Sequence, residues 1–144
     1  MTTSMKQIET HSYEETEALA RKIASDLPEG SVIALYGDLG AGKTVFARGF
    51  ARGLGITEPV SSPTFTIVQE YTAPSGINLY HLDLYRIDNP DAALAFGVDE
   101  YLYDRGAVTL LEWPERIEDI LPPHTIRISI EHAGEDLRRI TLPE

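Results

Sequence analysis

Gly37, Gly42, Lys43 and Thr44 lie in the stretch YGDLGAGKTVF and fit the pattern G-x-x-x-x-G-K-[ST] in full. Each residue type has a task there. Glycines let the backbone fold around an anion without Cβ clashes, so that several N–H groups point inward. A helix opening at the end of the loop adds a positive dipole beside the phosphates. Lys43 supplies a mobile charge for the β- and γ-phosphates, and the Thr44 hydroxyl is placed to ligate Mg²⁺. The alternative, a glycine turn beside a surface lysine, leaves the flanking apolar strand and helix patterns unexplained. The pattern therefore predicts a nucleoside triphosphate with its magnesium ion.

Hydrolysis needs more than the loop: an acid near the metal and a group that orients water. Two acids interrupt or end apolar runs, Asp83 in YHLDLYRI and Glu112 in VTLLEWPE. Glu112 fits the C-terminal end of a strand, where open α/β sheets bind ligands. Asp83 reads as lying inside its run, on the face it shares with His81, with a structural pairing to Arg86 as its alternative. His81 itself reads as a satisfied histidine beside Asp83 rather than a general base. Thr64 and Thr66, in SSPTFT, are candidates for a switch that senses the γ-phosphate. Their alternative is two ordinary threonines opening a strand. Trp113, the only tryptophan, is by default a core residue, with a stacking platform or partner anchor as the other options.

The elements that must hold these residues alternate between strand and helix. Ile8 suits a short opening strand. SYEE reads as a capping box from Ser12 to Glu15, followed by Leu19, Ile23 and Leu27 at helical spacing up to Pro28 and Gly30. Ser31–Tyr36 is a buried strand before the loop, and a helix follows it as far as Gly55. Pro63–Tyr71 has strand composition, Ala73–Gly76 is a turn, and Ile77–Ile87 alternates so that His81, Asp83 and Tyr85 share a face. Asn89-Pro90 precedes a short helix with an acidic first turn. Ala107–Trp113 is a second buried strand, PERIEDIL a short helix, and TIRISIEH with LRRITL a closing hairpin. The expected fold is α/β: a single domain over 1–144, its mixed parallel and antiparallel sheet covered by helices.

Composition sets the outer bounds. The chain has 144 residues, enough for one core. It has no cysteine, so neither a disulfide framework nor thiolate chemistry is available. No apolar run reaches the length of a membrane span, and the first residues lack a secretory apolar stretch, so a cytoplasmic protein is expected. The net charge of −11 disfavours direct binding of a free polyanion such as RNA.

In order and at compact spacing, YGDLGAGKT, SSPTFTIVQEY, YHLDLYRI and LLEWPER resemble the bacterial TsaE family, formerly called YjeE. The resemblance covers nearly the whole chain. It implies a small P-loop ATPase that works with two partner proteins, TsaB and TsaD, in placing a threonylcarbamoyl group on the tRNA adenosine beside the anticodon. In that family ATP hydrolysis resets the complex, and tRNA is reached through the partners. Carried over by position, Asp38, Leu39, Gly40, Ala41, Gly42, Lys43, Thr44 and Val45 would hold the phosphates. Thr44 and Glu112 would contact Mg²⁺, and Asp83 would be the Walker B-like acid. Lys43, Asp83 and Glu112 would carry the chemistry, with Thr64 and Trp113 in switch-like positions. The neighbourhoods of His11, Ser12 and His132 would line the adenine pocket. Two rivals share the loop: a small-molecule kinase, for which the chain leaves little room for a lid, and a nucleotide switch that does not hydrolyse. A GTPase is disfavoured because no N-K-x-D guanine motif is found.

Overall fold

The computed structural model describes residues 4–37, 42–60 and 67–143. Strand β1 (Met5–Thr10) leads into helix α1 (Tyr13–Ser25). Ser12 caps that helix as expected, its Oγ accepting from the Glu15 N–H at 3.1 Å. Glu15 reaches back one residue further than a capping box requires, to the His11 N–H at 3.2 Å. Strand β2 (Val32–Tyr36) and helix α2 (Lys43–Gly53) bracket the glycine loop. Strands β3 (Val68–Thr72) and β4 (Asn78–Asp83) form a hairpin through the expected turn. Helices α3 (Pro90–Ala95) and α4 (Val98–Leu102) follow, the first capped by Asn89 with Pro90 at its start. Strand β5 (Ala107–Glu112), a 3₁₀ segment (Pro114–Ile120), and strands β6 (Ile126–His132) and β7 (Arg138–Pro143) complete the order.

The strands make one sheet in the order β1-β7-β6-β2-β5-β4-β3. The inner four, β6, β2, β5 and β4, are parallel; β3, β7 and β1 join antiparallel. This is the mixed α/β sheet expected from the sequence. Both faces are covered, so β5 is buried along its whole length and reads as an apolar run rather than an alternation. On one face Ile33, Leu35, Leu79, Val108 and Leu110 pack under Phe46 and Phe50 of α2 and Ala20 and Ala24 of α1. On the other, Val32, Ala34, Leu82 and Leu111 meet residues of α3, α4 and the 3₁₀ segment. The two helices α1 and α2 touch backbone to backbone. A Cβ on Gly49 would lie 2.2 Å from the Glu17 carbonyl oxygen, and one on Gly53 2.3 Å from that of Arg21. No side chain fits there, and the seating of α2 on the sheet depends on that closeness.

Three expectations are corrected. Ile77–Ile87 is not one alternating strand: β4 ends at Asp83 and the chain turns through Tyr85 and Arg86. Asp83 makes that turn itself, its Oδ1 accepting from the Tyr85 N–H at 3.0 Å. Tyr85 therefore leaves the face it was expected to share and packs on Trp113, with ring centroids 5.1 Å apart. The helix expected at PERIEDIL is 3₁₀ and broken at Ile117. Helix α1 ends at Ser25, leaving Leu27 beyond its last turn. Of Pro63–Tyr71, Val68 onward is strand and Ile67 is a bend, while Pro63–Thr66 lie outside the described residues.

Candidate functional site

The C-terminal ends of β2, β4, β5 and β6 share one edge of the sheet, and the glycine loop leaves β2 at that edge. Gly42 is the N-cap of α2 with φ +104°, a left-handed backbone that side chains resist. Its carbonyl already accepts the first helical bond, from the Phe46 N–H at 2.9 Å. Lys43 opens the helix and is buried, with its Nζ 4.4 Å from the centroid of the Trp113 ring. A cation over an indole face is attracted by the ring quadrupole. Thr44 is exposed in the first turn and Val45 is half-buried. Asp38, Leu39, Gly40, Ala41 and Thr64 lie outside the described residues, as do Pro63 and Thr66.

The two acids meet beside this helix start. Asp83 and Glu112 are register partners on β4 and β5, each the last residue of its strand. Asp83 thus ends its strand rather than lying within a run, and both acids occupy the position expected of Glu112 alone. Their surroundings differ. Glu112 is buried, and its Oε2 lies 2.7 Å from His81 Nε2 in a contact closed off from water. When ionised, a carboxylate can only accept, and Nε2 would then carry the hydrogen. The partner of His81 is therefore Glu112, across the sheet, and not Asp83 on its own strand. His81 Nδ1 is buried with no hydrogen-bond partner among the described residues. Asp83 is half-buried, and burial pushes its carboxyl above the usual range. The Glu112 charge adds to that rise, while the Tyr85 N–H, His81 and Lys43 oppose it. Among the described residues no ion pair joins Asp83 to Arg86, which is exposed.

Trp113 follows Glu112 and is the one non-glycine residue with positive φ among the described residues, at 60°. It precedes Pro114, where extended backbone is favoured. That conformation is costly and is the kind of strain found at functional sites. It sets the indole between Lys43, Tyr85 and Arg116, whose guanidinium is 5.7 Å from the ring. Trp113 is thus a half-buried platform at the rim of the core and not a residue within it.

On the far side of β2, strands β6, β7 and β1 bring further residues to the same edge. His132 ends β6, Arg138 opens β7 opposite it, and Thr10 ends β1 opposite Arg138. His11 and Ser12 follow Thr10, so the three residues expected near a base do converge here. Ser12 Oγ is already engaged as a helix cap, and His11 and His132 are exposed. Arg138 is a buried charged residue at this edge that sequence reasoning did not single out. Its signal is parity: in RRITLP it alternates with Ile140 and Leu142 on the buried face.

A family model described as threonylcarbamoyl adenosine biosynthesis protein TsaE matches residues 10–140. The chain belongs to the TsaE family. Among its relatives, the tRNA threonylcarbamoyladenosine biosynthesis protein TsaE of Bacillus subtilis is 48% identical over 139 residues, covering 95% of this chain and 85% of that one. The Treponema pallidum protein of the same name is 38% identical, covering 92% and 96%. The crystal structure of Bacillus subtilis YdiB superposes with a TM-score of 0.84 at 42% identity, covering 99% of this chain and 87% of that one. Family and fold expectations both hold.

Among the described residues no three of His, Cys, Asp and Glu cluster as a metal-binding group. The set expected here is different: the Thr44 hydroxyl with the Asp83 and Glu112 carboxylates, which are hard oxygen donors. Mg²⁺ takes one or two carboxylates plus substrate phosphates, so these residues fit it. Among the described residues no helix is long and apolar enough to cross a membrane.

Proposed function

We propose that this chain binds and hydrolyses ATP at the edge formed by α2, β4 and β5, as the ATPase of tRNA threonylcarbamoyladenosine biosynthesis. It acts in the cytoplasm with TsaB and TsaD, which reach the tRNA, and its hydrolysis resets their complex. One observation carries the reading: a buried lysine at the start of a glycine-capped helix stands beside two register-paired carboxylates at the strand ends.

Lys43 and the loop N–H groups neutralise phosphate charge, so the work is positioning and electrostatics, as in phosphoryl transfer generally. Thr44, Asp83 and Glu112 would hold Mg²⁺, which when bound offsets the phosphate charge. His81 fixes the direction of the Glu112 carboxylate through their 2.7 Å bond. Asp83, half-exposed and favoured toward its protonated form, is the acid that an attacking water can reach and the group able to take its proton. The relatives' names support the pathway, and the net charge of −11 suits a protein that leaves tRNA to its partners.

Among the described residues Arg48 and Arg86 are exposed, and Arg116 is held against the Trp113 ring, its guanidinium 5.7 Å from the centroid. On this reading turnover by the chain alone is slow. ATP hydrolysis measured with and without TsaB and TsaD tests this. A rise of at least about tenfold with both partners is expected, the scale of one supplied charge-stabilising group. Equal rates in the two conditions would overturn the proposal.

A further inference from the structure

Two successive arginines open β7 and meet opposite fates. Arg139 points to solvent and faces Glu9 at 3.7 Å and Glu131 at 4.0 Å. Arg138 turns inward with Ile140 and Leu142 and is 8% exposed. Its Nε is buried with no hydrogen-bond partner among the described residues, and its Nη1 donates to the Leu137 carbonyl at 3.3 Å. Among the described residues no carboxylate pairs with it. Its cross-strand neighbours are His132 and Thr10, and Thr10 already shares a hydrogen bond with Thr16.

A guanidinium cannot shed its charge by deprotonation. Burying it unpaired is costly unless something else compensates it. The compensation is missing at one particular place: Arg138 Nε lies 3.5 Å from where a Cβ on Gly42 would stand. It sits beside the last glycine of the loop, at the start of an 11-residue helix. It also sits on the β6–β7 side of β2, whereas Asp83 and Glu112 lie on the β5–β4 side. A nucleotide laid across the loop with its terminal phosphate toward the acids turns its nucleoside end toward Arg138.

We infer that Arg138 is a second cationic contact for the bound nucleotide, its guanidinium donating to the phosphate nearest the nucleoside. The inference rests on the nucleotide reading given above. ADP and ATP both carry that phosphate, so Arg138 strengthens both alike and does not distinguish them.

Calorimetric titration with ADP and with ATP, on the wild type, Arg138→Met, Arg138→Lys and Arg139→Ala, tests it alongside melting curves without nucleotide. Arg138→Met should melt at or above the wild type, because it removes an unpaired buried charge. Its affinities for ADP and ATP should fall by the same factor, about 10- to 100-fold, the scale of a charge-assisted hydrogen bond. Arg138→Lys should fall less, keeping the charge but not the fork, and Arg139→Ala should bind as the wild type does. Wild-type affinity in Arg138→Met, or a loss confined to ATP, would overturn the inference while leaving the nucleotide site standing. If the Met variant does not fold, the Lys variant decides: weakened binding of both nucleotides supports the inference and wild-type binding overturns it. A wild type that binds neither nucleotide would sink the nucleotide reading and the inference with it.

Discussion

The two sides of the glycine loop present opposite electrostatic problems. On the β5–β4 side two carboxylates end adjacent strands, close enough that Glu112 helps to raise the pKa of Asp83. On the β6–β7 side a buried arginine has no acid beside it among the described residues. Neither arrangement favours the ligand-free fold, since like charges repel and an unpaired buried charge is poorly solvated. The nucleotide proposed above would relieve both: its phosphates would meet Lys43 and Arg138, and its counter-cation would meet the acids. The contrast teaches that this edge is electrostatically asymmetric, acidic on one side of the loop and cationic on the other.

The sharpest way to break the comparison is at Glu112, the acid tied most firmly. Glu112→Ala should abolish measurable turnover and also destabilise the chain by about 1–3 kcal/mol, because His81 Nε2 is left buried and unpaired. Glu112→Gln keeps a polar partner for the imidazole, so it should lose turnover and keep most of the stability. Thermal melts beside a turnover assay separate the two effects. Equal melting of the Ala variant and the wild type would mean that the His81 bond does not hold the site together.

Asp83 is predicted to behave in the opposite sense, with a smaller effect. Its folded pKa is raised, so folding disfavours the ionised form; the penalty is fully present above that raised pKa and fades as pH falls through it. Asp83→Asn should therefore stabilise the nucleotide-free chain near neutrality, by less than about 1 kcal/mol given its exposure to water. The gap should close by about pH 4, where the wild type carries the proton itself. Paired melts across that range test the sign, and a variant less stable than the wild type at neutral pH would contradict it.

Local chemistry made part of this legible in the sequence. The helix start at Gly42-Lys43, the Ser12 cap, the Asn89-Pro90 helix start and the largely apolar β5 each depend on neighbours a few residues apart, and each appears where expected. What escaped was set by pairing between distant segments. His81 finds its partner 31 residues away because β4 and β5 lie side by side. The end of β4 at Asp83 was hidden because YHLDLYRI alternates past the point where the aspartate turns the chain. Arg138 was not singled out, because the hairpin register is what shows which of two successive arginines faces inward. The need for glycine at 49 and 53 comes likewise from a distant segment, since α1 presses on both.

The most direct test of the central claim is calorimetric titration of Mg²⁺ and ATP into the wild type and into Lys43→Ala. Saturable binding at one site per chain, weakened at least about tenfold by the substitution, is the predicted result. Binding of equal strength in both proteins would place the triphosphate away from Lys43 and contradict the site described here.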